Sequence, residues 1–134
     1  MTISARRSSQ AIEVELRLRS GLKIKRVYEK PDRADGVRIL ADRLWPRGLT
    51  KEKARVDLWL KDIAPSTELR KWFGHDPKKW RSFRGRYQTE LKHHPDQLKL
   101  IKSKAKGGTV TLIYGSRDQE HNEAVVLKQF LERS

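Results

Sequence analysis

Two short runs constrain this chain more than any other feature. Val37–Leu44 (VRILADRL) and Thr109–Tyr114 (TVTLIY) are apolar along most of their length, without the strict alternation of a half-exposed strand. Strands buried on both faces read this way, and they belong to parallel sheets covered by helices. Parallel neighbours need long crossovers, and the intervening segments supply them. Ile24–Glu29 and Val56–Leu60 are two further strand candidates. Thr50 is placed to cap a short helical turn over Lys51–Ala54, and Ser66 to cap a helix with Leu69, Trp72 and Phe73 on one face. Asp76-Pro77 opens another helix, whose stripe Trp80, Phe83, Tyr87 and Leu91 runs to the vicinity of His93-His94. Pro95 starts a helix that stops at Gly107-Gly108. His121–Arg133 closes the chain as a helix with Ala124, Val125, Leu127, Phe130 and Leu131 inward. The expectation is a single layered α/β domain over residues 22–134, with a mostly parallel four- to five-stranded sheet flanked by helices.

Residues 1–21 read as an N-terminal extension. Residues 1–10 are polar and aperiodic, the pattern of a disordered start. Ile12, Val14, Leu16 and Leu18 then alternate with Glu13, Glu15, Arg17 and Arg19, as in an edge strand, before a Ser20-Gly21 turn. Glu13 and Glu15 argue against a transit peptide, and no signal-peptide apolar core is present. Apolar runs reach only four residues, far short of a membrane span. A cytoplasmic location follows as the expectation. The absence of Cys removes disulfides, thiolate metal sites and Cys nucleophiles. No zinc-type spacing, phosphate-binding Gly-rich loop or dinucleotide fingerprint occurs, so no metal or cofactor is expected.

In open α/β sheets, ligands bind beyond the carboxyl ends of the strands. Three loops leave such ends. The first carries Asp42, Arg43, Trp45, Arg47 and, further on, Lys51. The second leads through Ser66 to Arg70. The third carries Tyr114, Arg117, His121 and Asn122. If the strands are neighbours, Arg43, Arg47, Lys51, Ser66, Arg70 and Arg117 converge as an anion-binding rim for a phosphate- or carboxylate-bearing small molecule. Asp42, Trp45 and Asn122 would support it. His121 and Tyr114 are then the candidate acid/base groups. Each piece also has a structural use: Ser66 as an N-cap, Trp45 and Trp59 as packing, Asp42 and Arg43 as a strand-end ion pair.

The charge offers an alternative. The chain has 31 Lys and Arg against 17 Asp and Glu, a formal charge of +14. Between residues 77 and 106, ten Lys and Arg, among them Lys78, Lys79, Arg81, Arg84 and Arg86, face only Glu90 and Asp96. Two helices so charged would bind nucleic acid or another polyanion non-specifically. No helix-turn-helix, zinc-finger or aromatic RNA-binding signature supports base readout.

Asp35-Gly36-Val37-Arg38-Ile39-Leu40 is followed by Asp42-Arg43-Leu44-Trp45-Pro46-Arg47-Gly48-Leu49. Further on come Trp59, Ala64-Pro65-Ser66, Leu69-Arg70, Phe83, Tyr87, Glu90-Leu91, Val110–Tyr114 and His121-Asn122. On these residues, across about 22–133, the chain resembles the YeaO-like family, a bacterial family of unknown function. The resemblance implies a small cytoplasmic α/β protein that begins near Lys23, and it names no reaction. Its signature residues fall on the three strand-end loops.

Overall fold

A computed structural model describes residues 21–134, so the expectations for residues 1–20 lie outside the described residues. Four strands form one sheet: β1 (Leu22–Arg26), β2 (Val37–Leu40), β3 (Leu58–Trp59) and β4 (Val110–Tyr114). Their order is β1-β4-β2-β3, and every pairing is parallel. Among the described residues the sheet thus has four strands, within the expected four to five. Five helices accompany it: α1 (Lys51–Ala54), α2 (Thr67–Phe73), α3 (Trp80–Leu91), α4 (Pro95–Gly107) and α5 (Glu123–Arg133).

The helix starts follow local chemistry. The side chains of Thr50, Ser66 and Asn122 accept hydrogen bonds from Lys53, Leu69 and Val125 N–H groups, each satisfying a donor that the first turn leaves free. Asp76 caps a short 3-10 turn, Pro77–Lys79, that feeds α3.

Alternate strand residues enter two cores. Ile39, Leu112 and Val110 meet the larger one, with Phe73, Phe83, Tyr87, Leu91, Ile101 and Leu127 from the helices. Leu40 and Ile113 point the other way, onto Val27 and Ala54. This two-sided burial is why the strands read as continuous apolar runs. Along α3, Phe83, Tyr87 and Leu91 are buried as the stripe predicts, while Trp80 is half-buried. In α5 the buried valine is Val126 rather than Val125, and Phe130 is only partly covered. The helix is turned so that Ala124, Val126, Leu127 and Leu131 face inward.

Two strands are shorter than their sequence patterns. β2 ends at Leu40 because the chain then turns: the Asp42 carboxylate accepts the Leu44 N–H, and its carbonyl accepts the Trp59 indole N–H at 2.6 Å. β3 keeps only two residues of Val56–Leu60. β1 starts at Leu22 and ends at Arg26, where the Glu29 carboxylate takes the Arg26 N–H and turns the chain.

A buried ion cluster closes the amino end of the sheet. Arg38 of β2 donates to Asp35 at 2.6 Å and to the carbonyls of Ala54 and Arg55. Lys25 of β1 also reaches Asp35, at 3.1 Å. Burial alone would raise the Asp35 pKa, but the Asp32 N–H, Lys25 and Arg38 outweigh it and hold the carboxyl below its ordinary range. Removing one partner strands the others in a dry site. Asp35→Ala should therefore lose about 3–5 kcal/mol of stability in denaturant unfolding, and Asp35→Ala with Arg38→Met should recover much of that loss.

Candidate binding pocket at the strand ends

Because all four strands are parallel, the loops beyond β1, β2 and β4 open on one side. There they enclose a cavity of about 490 Å³. Its lining includes Asp42, Trp45, Arg47, Arg70, His121 and Asn122 from the sequence-predicted set, together with His75 and Glu123. Tyr28, Phe73 and Phe83 supply aromatic wall.

The loop that carries Arg47 is held at both ends. The Tyr28 hydroxyl donates to the Arg47 carbonyl at 2.8 Å, and the Trp45 indole N–H donates to the Leu49 carbonyl at 2.6 Å. Gly48 completes the turn at φ +78°, a conformation that suits glycine. The Arg47 side chain is exposed but leaves from a fixed backbone.

Arg70 sits one turn into α2. Its Nε is buried and makes no hydrogen bond. The chain after α2 turns through Gly74 at φ +53° and His75 at φ +57°. The second is an uncommon conformation for a residue with a side chain, and His75 forms part of the cavity wall.

His121 precedes α5. Its Nδ1 lies 2.9 Å from an Asp118 carboxylate oxygen, and its ring packs edge-on against Trp80 with centroids 5.1 Å apart. The hydrogen bond from His121 holds the Asp118 pKa below the ordinary carboxylate range. Asn122 is buried; its amide donates to the Asp118 carbonyl, so it fixes the loop and caps α5.

The other predicted residues are used elsewhere. Arg43 donates its Nε–H to the Pro65 carbonyl at 3.0 Å, which ties the first loop to the second. The Ser66 N–H and hydroxyl donate to the Glu90 carboxylate at 2.8 and 2.6 Å. The start of α2 thus already holds an anion, and it belongs to α3. Tyr114 is buried, and burial raises its phenol above the ordinary range. Lys51 and Arg117 are exposed and lie outside the cavity lining. The structure therefore brings together Arg47, Arg70, His121, Asp42, Trp45 and Asn122, and does not bring Arg43, Ser66, Tyr114, Lys51 or Arg117 to the same wall.

Two carboxyl groups share the cavity. Burial raises Asp42, partly offset by its hydrogen bond from the Leu44 N–H and by the charges of Arg70 and His75. Burial pushes Glu123 up to about 8, and the nearby Asp42 charge adds to the effect. Glu123 was read from the sequence only as part of the last helix; its place directly after His121-Asn122 was the available signal.

The family model described as "Inactive DUF488-N3 subclade" matches residues 21–134. The chain is 42% identical over 110 residues to the uncharacterized protein YeaO of Escherichia coli, covering 82% of this chain and 96% of that protein. It is 41% identical over 110 residues to the uncharacterized protein Rv3073c of Mycobacterium tuberculosis, covering 82% of this chain and 92% of the relative. The comparison with solved structures gives no significant match.

The Glu123 proton makes stability depend on pH. Between its ordinary value of 4.5 and about 8, the folded protein keeps a proton that the unfolded chain has released. Stability should therefore fall as pH rises through this window, by up to about 1.4 kcal/mol per pH unit. Urea unfolding of wild type and Glu123→Gln across the window checks this, and the variant should lack the Glu123 share of the slope.

Proposed function

We propose, for a chain that belongs to the inactive DUF488-N3 subclade, that the strand-end cavity is a non-catalytic pocket for a small molecule with an anionic head and an apolar body. The observation that carries this reading is Arg70: a guanidinium on the cavity wall whose buried Nε–H has no acceptor among the described residues. A buried donor without a partner is costly, and a carboxylate or phosphate oxygen would satisfy it. Arg47 offers a second guanidinium from a rigid turn, and planar guanidinium groups suit both oxyanions. The aromatic wall of Tyr28, Trp45, Phe73 and Phe83 fits an apolar body.

Binding is favoured over turnover by what surrounds His121. Asp118 orients its ring as in a catalytic dyad, yet among the described residues no hydroxyl is hydrogen-bonded to it. Tyr114, the other acid/base candidate, is not among the cavity-lining residues. The word "inactive" in the family description agrees. A cytoplasmic location fits a small-molecule pocket of this kind, and no described helix is long and apolar enough to cross a membrane.

Thermal unfolding with inorganic phosphate or 3-phenylpropionate tests the pocket. Either anion should raise the melting temperature of wild type. Arg47→Ala should melt close to wild type, because an exposed side chain contributes little to stability, but it should lose most of the anion-induced gain. Arg70→Ala should lose it entirely. Equal gains in wild type and both variants, or no gain with either anion, would overturn the reading.

A second reading concerns the basic helices. Lys78, Arg81 and Arg86 are exposed, and Lys79 and Arg84 are partly so. The Trp72 ring is covered by the protein's own cations, with the Arg86 guanidinium carbon 4.1 Å and the Lys79 ammonium 5.1 Å from its centroid. Its face is not open for base stacking, so this surface supports phosphate contact without sequence preference. Neutralising Lys78, Arg81 and Arg86 should weaken binding to a DNA oligonucleotide and flatten the dependence of log affinity on log salt. No binding by wild type at about 50 mM salt would remove this reading.

A further inference from the structure

The charges around the cavity are unpaired in both senses. Arg47 and Arg70 line it, and neither forms an ion pair among the described residues; Asp42 and Glu123 line it, and neither of these does. The Asp118 carboxylate is already engaged, since it holds His121. Arg70 lies close enough to Asp42 for its charge to act on that carboxylate, without direct contact. Buried charges in proteins are ordinarily paired or hydrogen-bonded. A simple anion would satisfy the guanidinium groups and leave the Asp42 carboxylate without a cation.

We propose that the ligand is a zwitterion of the α-amino-acid type with an aromatic or bulky apolar side chain, its carboxylate on Arg70 and Arg47 and its ammonium on Asp42 and Glu123. The proposal rests on the anion-pocket reading and specifies its ligand class. An α-amino acid carries both charged groups on one carbon, so a single small ligand can offer an anion to Arg70 and a cation to Asp42, whose charges act on each other without forming an ion pair. The apolar side chain meets Trp45, Phe73 and Phe83. A volume of about 490 Å³ accommodates a molecule of this size.

The proposal has a proton signature. Glu123 shares the cavity lining with Asp42 beyond β2, Arg70 of α2, His75 after α2 and His121 before α5, and it lies near enough to the Tyr87 and Tyr114 phenols for its charge to act on them. The Tyr87 hydroxyl is spent on the Ile63 carbonyl, and no cation is prominent among the influences on Glu123. Near neutral pH Glu123 therefore holds its proton. An ammonium group beside it favours the carboxylate, so binding transfers that proton to the buffer.

The test is calorimetric titration at pH 7 with L-phenylalanine, 3-phenylpropionate and phenethylamine, in two buffers of different ionisation enthalpy. The three probes share the aromatic body and differ in which charge they carry. L-phenylalanine should bind at least about tenfold more tightly than either of the others. It should release a proton that 3-phenylpropionate does not. Glu123→Gln, which should fold at least as stably as wild type above neutral pH, should abolish the release and most of the preference over 3-phenylpropionate. If 3-phenylpropionate binds as tightly as L-phenylalanine, the zwitterion is wrong and the anion pocket stands. If phenethylamine binds best and Arg70→Ala does not affect it, both readings fail. If none of the three binds, the zwitterion is overturned, and the phosphate response of Arg47→Ala and Arg70→Ala decides the anion pocket alone.

Discussion

The Asp35–Arg38 pair is the constraint on which the rest of the sheet depends. Asp35 draws in Lys25 of β1 and Arg38 of β2, and its carbonyl accepts the Thr111 hydroxyl of β4 at 2.6 Å. Arg38 extends the network to the carbonyls at the end of α1, and its N–H donates to Asp57, just ahead of β3. One cluster thus touches three strands and the approach to the fourth. A buried ion pair is not by itself a large source of stability. Its effect is on specificity: any other register of β1 or β4 against β2 would part Asp35 from the Lys25 ammonium or from the Thr111 hydroxyl. Gly36 locks the same corner. At φ +63° a Cβ there would lie 2.1 Å from the Thr109 carbonyl oxygen, so no other residue fits without moving β4.

This cluster sits at the amino ends of the strands, and the cavity lies at the carboxyl ends. The separation has a physical consequence. Packing and ion pairing at one end fix strand register, which then sets where the loops at the other end begin. The cavity can carry unpaired charge because it is not required to hold the sheet together. The unpaired Arg70 and Asp42 and the buried Glu123 carboxyl are destabilising features, and the closed network opposite them is what allows the fold to tolerate them.

Local signals were legible in the sequence because their partners are near in the chain. Thr50, Ser66, Asp76 and Asn122 each cap within two or three residues, and the α3 stripe repeats every turn. The parallel sheet was legible from the doubly buried strands. The partner of each charged side chain was not. Arg43, Arg47 and Arg70 look alike as letters, yet Arg43 is consumed by the Pro65 carbonyl and Arg70 keeps a free donor. The start of α2 looked like an open anion site, and Glu90, twenty-four residues away, closes it. Arg38 carried a readable clue: a charge inside an apolar strand needs a buried partner, and Asp35 stands three residues before it. Val125 and Val126 could not be separated by pattern, since either completes an apolar face of α5.

The overall charge and the cavity act on different length scales. A formal +14 produces a field that draws any anion toward the surface and is screened over about 8 Å at physiological salt. It cannot distinguish one anion from another. Inside the cavity two guanidinium groups stand against one carboxylate, Asp42, and a protonated Glu123, and the low dielectric makes placement decisive. Selectivity must therefore come from the arrangement around Arg70, Asp42 and Glu123, and a ligand without net charge should bind with little dependence on salt. A polyanion held by the outer helices would instead lose affinity steeply with salt, because its binding is the release of counterions.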